Sequence, residues 1–418
     1  MTDSAPPAAP EPTVDRLMVV AEHLDPQLDM SVRAGLALIE SLAERGVEVT
    51  VHCGFCPNWA QPDGARLKQL HVVPWRLHRL VGWYRATART VIQARASGSA
   101  ILSLTPMIRG DLTLLLSGTE RGRLLHHADP AGDGILSKLQ RAFALYRPAG
   151  LSRVLLERRS LSMSPKPEQA ASGLAVTSRL AADEISRLAL APDMQADVLS
   201  MAIGRQTRGT DALKAQSIAL RKGLGINTQT PIILFPAARP LLHGFASLML
   251  ALKQMRNQGS EAVVLLTGRY RYTHLSWVAQ LGVRDAVRFA GPTRRLDVAI
   301  AAADAVAHPT YYDPGGIAVL LALAAGKPVV TSRACGAAEL LDPLNEAPYA
   351  TVLERGAPPE VLCEALLRLI EPESREPAKQ ALPGLIEPLT PQAQAEKVLA
   401  LLSGPALSPG VAVSGQSG

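Results

Sequence analysis

The sequence predicts an α/β fold of two doubly wound domains that face each other across a central cleft. Three observations carry this. The chain has 418 residues, too many for one ordinary core and suited to two domains of roughly 200 residues each. Short apolar runs of strand length alternate with stretches of helical periodicity, the order a parallel sheet requires because parallel strands need a crossover between them. The alternation occurs twice, in series separated by the polar, glycine-bearing stretch Ile203 to Thr210. Hydrophobic residues make up 47% and aromatics only 4%, so both cores must be built mainly of Ala, Leu, Val and Ile.

Residues 1–15 are rich in Pro and Ala, carry acidic residues and lack a basic start, which reads as a disordered leader and not a signal peptide. The run from Arg16 to Ala21 is a strand, Val32 to Arg45 repeats apolar residues at helical spacing up to Gly46, and Val47 to Cys53 is a second strand. Further strands are expected at Leu70 to Pro74, Ala100 to Leu104, Arg123 to His127, Gly173 to Thr177 and Asp197 to Met201. This first domain spans 16–203. The second spans 211–391, with strands at Pro231 to Phe235, Ala262 to Thr267, Val287 to Ala290, Ala305 to His308 and Pro328 to Thr331. Five prolines between Glu371 and Pro391 exclude one regular helix there and suggest a segment crossing between domains. Residues 392–403 read as a last helix, and 404–418 as a disordered Gly/Ser/Pro tail.

Four cysteines are too few to staple so long a chain, which fits a reducing, cytoplasmic compartment. Cys53 and Cys56 have dithiol spacing, but Pro57 follows where a redox motif needs a helix to lower the thiol pKa. His126, His127 and Asp129 lack further ligands at suitable spacing, so neither metal nor cofactor is expected. No apolar stretch is long and uncharged enough to span a bilayer. The charge is uneven: Arg66 to Arg159 holds sixteen Arg or Lys against five Asp or Glu, while the whole chain nets +6. Arg76, Arg79, Arg85, Arg89 and Arg95, interleaved with Trp75, Trp83 and Tyr84, suit an anionic membrane surface; no nucleic-acid motif accompanies them.

The densest chemical signal runs from Phe289 to Glu339. A strand ending at His308-Pro309 leads through Thr310 to Asp313 into Gly315-Gly316 and an apolar helix reaching Ala325. Glycines opening a helix permit close approach to free N–H groups that favour an anion. With Asp297 and Asp304 before the loop and Gly326-Lys327-Pro328-Val329-Val330 after it, this block resembles the retaining glycosyltransferases of family 4, most closely the lipopolysaccharide core glucosyltransferase I group.

The resemblance implies the GT-B fold, two Rossmann-like domains around the cleft with a last helix that returns to the first, and transfer of a hexose from a nucleotide sugar to a lipid-linked or cell-envelope glycan, independent of metal. It places Asp313, Gly315 and Gly316 at the donor, Arg239 and His243 on its diphosphate, and Asp111, in Thr105 to Asp111, as the catalytic carboxylate near the acceptor. It also exposes departures. The second acidic position of the donor loop, which grips the ribose hydroxyls, falls on Leu321. His243 stands where a Lys is expected, and Leu28-Asp29-Met30-Ser31 replaces a glycine-rich loop. These departures motivate a rival expectation, a degenerate GT-B module that binds a glycan, lipid or protein partner without turnover.

Overall fold

The computed structural model describes residues 14–69, 77–126, 147–162, 173–188, 196–204, 210–344 and 347–403. Its frame is two parallel sheets. The first has the order β3-β2-β1-β4-β5-β6-β7, with β1 Arg16–His23, β2 Glu48–Phe55, β3 Arg66–Gln69, β4 Ala100–Ser103, β5 Leu112–Leu115, β6 Gly173–Val176 and β7 Ala196–Val198. The second runs β10-β9-β8-β11-β12-β13, with β8 Ile232–Pro236, β9 Val263–Thr267, β10 Val287–Gly291, β11 Ala305–His308, β12 Val329–Ser332 and β13 Ala350–Leu353. Every pairing is parallel, and strands such as β8 and β9 are buried along their whole length. Strands covered on both faces by helices read as continuous apolar runs for this reason.

In the first domain α1 (Val32–Glu44) covers one face, and α2 (Leu77–Ala96) covers the other with Trp83 fully buried among Met18, Val20 and Ile101. Trp83 is thus a core residue and cannot sit at headgroup depth. Its helical phase places Arg85 and Arg89 on the exposed side. Trp75 and Arg76 lie outside the described residues, as do the leader up to residue 13 and the tail from 404.

Several expected elements differ. The stretch expected as a strand from Arg123 is helical, α3 (Glu120–His126), started by the Thr119 hydroxyl accepting the Gly122 N–H at 2.9 Å. A strand lies at Arg66–Gln69, and the strand expected at Leu70 to Pro74 lies outside the described residues. The missed β5 follows β4 after only residues 104–111, with Met107 and Ile108 filling the core where a crossover helix would sit. That connection is shorter than the dozen or more residues usual for parallel neighbours. The strand β13 was also missed.

The remaining first-domain helices are α4 (Pro148–Ser162) and α5 (Arg179–Arg187). The second domain carries α6 (Asp211–Gly223), α7 (Phe245–Asn257), α8 (Tyr272–Gln280), α9 (Leu296–Ala302), α10 (Ile317–Ala324) and α11 (Pro359–Ile370). The proline-rich segment holds no single helix, as expected: α12 (Pro372–Ala381) opens on Pro372, whose missing N–H has no partner to lose there, holds Pro377 in its interior and gives way to a 3-10 turn at Pro383–Ile386. The last helix, α13 (Pro391–Ser403), lies on α1 and is tied by an Arg45–Glu396 ion pair. Among the described residues no helix is long and apolar enough to cross a membrane.

Candidate functional site

The carboxyl ends of both sheets turn toward one cleft, the position where doubly wound sheets bind ligands. A cavity of about 330 Å3 opens there, walled by Glu22 and His23 at the end of β1, Thr105 after β4, Ser117 and Glu120 after β5, and Arg239 from the second domain. Arg239 stands in the loop after β8. That loop closes on Gly244, the first residue before α7, at φ 93°. A Cβ at Gly244 would come within 2.1 Å of the Pro309 carbonyl, so the loops after β8 and β11 press backbone against backbone.

Across the cleft Arg239 meets Asp29, with Nη2 3.2 Å from Oδ2. Asp29 also accepts the Ser31 N–H at 3.0 Å and the Ser117 hydroxyl at 2.9 Å. Burial opposes the Asp29 charge, but Arg239, His23 and these hydrogen bonds hold its carboxyl below the ordinary range.

His243 is buried, its ring edge-on to His308 with centroids 4.9 Å apart. Burial, reinforced by His308, pushes its imidazole down to about 3. It is therefore neutral near pH 7 in this structure. Asp313 is committed as well: Oδ2 lies 2.8 Å from His308 Nε2, and Oδ1 accepts the Gly316 N–H at 3.0 Å. Burial opposes its charge, yet the His308 hydrogen bond and its neighbours hold the Asp313 carboxyl at about 2.

The glycine pair faces protein, not open space. A Cβ on Gly315 would stand 2.6 Å from Met201 Cε and 2.7 Å from the Leu116 carbonyl, and one on Gly316, at φ 63°, would stand 2.7 Å from the Ala337 nitrogen. Gly315 thus lets the donor loop seat on the first domain, a different reason for glycine than ligand approach. The same seat is held by the Thr177 hydroxyl donating to the Pro314 carbonyl at 3.2 Å and the Thr119 N–H donating to Tyr312 Oη at 2.9 Å. Tyr312 Oη in turn donates to Glu184 Oε2 at 2.6 Å. Gly315→Val is expected to cost about 1–3 kcal/mol of stability by overpacking and to widen the cleft. Denaturant unfolding and small-angle scattering check this; an unaltered scattering profile would contradict it.

Asp111 is not at the cleft. It directly precedes β5, at the amino end of the sheet, where its N–H donates to the Ile101 carbonyl at 2.8 Å. Arg95 holds Oδ1 through Nε at 3.1 Å and Nη2 at 2.8 Å, and the Ile101 N–H holds Oδ2 at 2.8 Å. The short β4–β5 connection explains the misplacement: residues 104–110 return the chain along the sheet, so Asp111 lies at its amino end, away from the cleft.

Leu321 is where the apolar departure was expected to matter. It lines a second cavity of about 360 Å3 between the domains, with Arg33, Glu40, Trp59, Leu296 and Asp297. Arg294 stacks on Trp59 at 4.9 Å across the same opening. Cys53 and Cys56 are buried, and burial pushes their thiols up to about 12 and about 11, which leaves no thiolate for redox chemistry.

Among the described residues, ligand atoms of His308, Asp313 and Cys335 lie within 4.8 Å of one another. However, His308 Nε2 is hydrogen-bonded to Asp313, and burial keeps the Cys335 thiol protonated, so the trio fits core packing better than a cation.

Sequence reasoning missed the ion network on the first-domain wall. Arg153 on α4 pairs with Glu22 and, at 3.2 Å, with Glu120, which also pairs with Arg123. Glu157 accepts the N–H groups of Glu120 at 2.6 Å and Arg121 at 3.1 Å, capping α3 from another helix. No spacing rule joins residues so far apart. Asp29 was visible in its loop, but nothing local marks it as the partner of Arg239.

Residues 216–381 match the family model described as glycosyl transferases group 1. The lipopolysaccharide glucosyltransferase WaaG of Escherichia coli is 35% identical over 91 residues, 22% of this chain and 24% of that protein. A GDP-mannose-dependent monoacylated alpha-(1-6)-phosphatidylinositol monomannoside mannosyltransferase of Corynebacterium glutamicum is 30% identical over 183 residues, 42% of this chain and 47% of that protein. The chain thus aligns with about a quarter to a half of the length of such curated relatives. A crystal structure of WaaG, described as a glycosyltransferase involved in lipopolysaccharide biosynthesis, superposes with a TM-score of 0.73 at 18% identity, covering 93% of this chain and 100% of that one. The chain therefore has the GT-B fold, and its residues 216–381 are similar to the glycosyl transferases group 1.

Proposed function

We propose that this protein is a glycosyltransferase that moves a hexose from a nucleotide sugar to a lipid-linked or cell-envelope glycan, with retention at the anomeric carbon and without a metal. The observation that carries the reading is Arg239, standing in the cleft between the carboxyl ends of two parallel sheets and opening onto the 330 Å3 cavity of the first domain.

In this reading the bond from the anomeric carbon to the diphosphate oxygen breaks as one to an acceptor hydroxyl oxygen forms. The hydroxyl proton leaves with the nucleoside diphosphate. Arg239 stabilises the negative charge that develops on the departing oxygen. His243, held neutral, contributes hydrogen bonding and shape. Asp313 holds the loop between β11 and α10 in place, so its role toward the donor is positional. Asp111 takes no part, because it lies at the other end of the sheet. The acceptor enters the first-domain cavity, where Glu22, Thr105 and Glu120 offer hydrogen-bonding groups to sugar hydroxyls. The exposed Arg85 and Arg89 of α2 and the exposed Ile92 and Leu155 suit contact with an anionic membrane surface that carries such an acceptor.

The second reading, a GT-B module that binds its partner without turnover, is favoured by the Asp29–Arg239 pair and by Leu321. The two separate in one measurement: binding heat and thermal shift with UDP, GDP and their sugars. Binding accompanied by slow donor hydrolysis supports the enzyme, and silence toward all nucleotides supports the module. If a nucleoside enters the cavity beside Leu321, Leu321→Glu gains about tenfold in nucleotide affinity through a charge-assisted hydrogen bond to the ribose diol. Unchanged affinity in a folded variant would place the nucleoside elsewhere.

A further inference from the structure

We propose that Asp29 is an internal anion that occupies Arg239 in place of a phosphate, so that residue 29 sets how strongly the cleft accepts a diphosphate. The inference rests on the donor-site reading for the identity of the ligand, but the competition itself concerns only Asp29, Arg239 and an incoming anion.

The donors around Asp29 are those a phosphate would use. The Ser31 N–H reaches Oδ1 at 3.0 Å, the Ser117 hydroxyl reaches Oδ2 at 2.9 Å, and the Arg239 guanidinium reaches Oδ2 at 3.2 Å. Backbone N–H, hydroxyl and guanidinium together make an anion cradle. Ser31 directly precedes α1, a helix of 13 residues, and makes no capping bond with its own side chain. The carboxylate is buried, with 11% of its side chain exposed, while Arg239 keeps 34% of its side chain exposed toward the cavity. Arg239 is therefore reachable from the cleft, but its charge is already matched.

The surrounding charges do not relieve this. Around the small pocket where Asp29, Ser31, Ser117, Arg239, His243 and Asp313 meet, His243 is neutral and Asp313 is a carboxylate held by His308. A diphosphate arriving at Arg239 meets Asp29 as a like charge and must displace it. In a site that binds diphosphate through its cations alone, removing a nearby carboxylate strengthens binding. Here the carboxylate and the cation come from opposite domains, so the exchange also loosens one of the contacts that close the cleft.

The test uses the full chain and inorganic pyrophosphate as probe, by titration calorimetry. Asp29→Asn and Asp29→Ala are each expected to bind pyrophosphate at least tenfold more tightly than wild type, and Asp29→Glu, which keeps the charge, is expected to show no gain. Adding Arg239→Gln to Asp29→Asn should abolish the gain. Circular dichroism and melting curves identify which of the neutral variants is folded, and either one suffices. Equal or weaker pyrophosphate binding in the folded neutral variant overturns the proposal, as does a gain that survives loss of Arg239. UDP and GDP titrated in parallel keep the two readings apart. A pyrophosphate gain without nucleotide binding supports the role of Asp29 and removes the nucleotide-sugar reading. Nucleotide binding indifferent to residue 29 removes the role of Asp29 and leaves the transferase.

Discussion

Replacing Arg153 by Met is expected to lower the unfolding free energy by about 3–5 kcal/mol, because it leaves buried carboxylates without their cation. Arg153 and its partners Glu22 and Glu120 expose only 12–13% of their side chains, so water cannot take over the lost interaction. A surface pair would cost less than about 1 kcal/mol on the same change. Chemical denaturation at neutral pH reads the difference. Adding Glu22→Gln to Arg153→Met should recover part of the loss, since one of the stranded charges is gone. A single variant as stable as wild type would mean that water or Arg123 already neutralises Glu120 and that the network is not closed. Because these residues wall the first-domain cavity, the same variant is also expected to change the shape and charge of that cavity.

Glu157→Gln is expected to change the pH dependence of stability more than its value at low pH. Burial raises the Glu157 carboxyl to about 8, and the nearby Glu120 charge adds to this. A carboxyl with a raised folded pKa favours the protonated, folded form. Its contribution is fully present below the unfolded value of about 4.3 and is lost as pH climbs toward 8. Within that window one proton's worth of slope is about 1.4 kcal/mol per pH unit. Glutamine carries no proton to lose and can still accept an N–H from the start of α3, so the variant should lack this decline and exceed wild-type stability at pH 8. Glu120 acts in the opposite direction. Burial opposes its charge, but Arg123 and Arg153 hold it at about 2, so its contribution is present above the unfolded value and lost only as pH falls toward 2. Unfolding curves from pH 3 to 9 for wild type and Glu157→Gln separate the two; parallel profiles above pH 5 would show that Glu157 is ionised in the folded protein.

The legible parts of this molecule were those written in local periodicity. Apolar runs such as Ile232–Pro236 and Val263–Thr267 are buried on both faces and announce themselves as strands without reference to anything distant. The packing of the last helix on α1 follows the expectation that the family resemblance carried, not local periodicity. The strand β5 was not, because its crossover is a loop packed by Met107 and Ile108 and lacks a helix's periodicity. That one irregularity carried Asp111 from the expected cleft to the amino end of the sheet. The state of His243 was illegible for a different reason: a histidine's charge depends on burial and on His308 beside it, neither of which is written in its neighbours along the chain. Gly315 was correctly singled out as a residue that must lack a Cβ, but the object pressing on it is Leu116 and Met201 of the other domain.

Two series of parallel α/β elements and a glycine-opened helix after β11 could be read from the order of residues alone, because strand and helix periodicity and turn chemistry act within a few positions of each residue. Only the tertiary structure decided which of those residues are free to act. It set Asp29 against Arg239, sealed Asp313 and the glycines into packing, and moved Asp111 away from the cleft. Charge pairing and desolvation depend on distances between residues far apart in the chain, and those distances exist only once the two sheets have closed on each other.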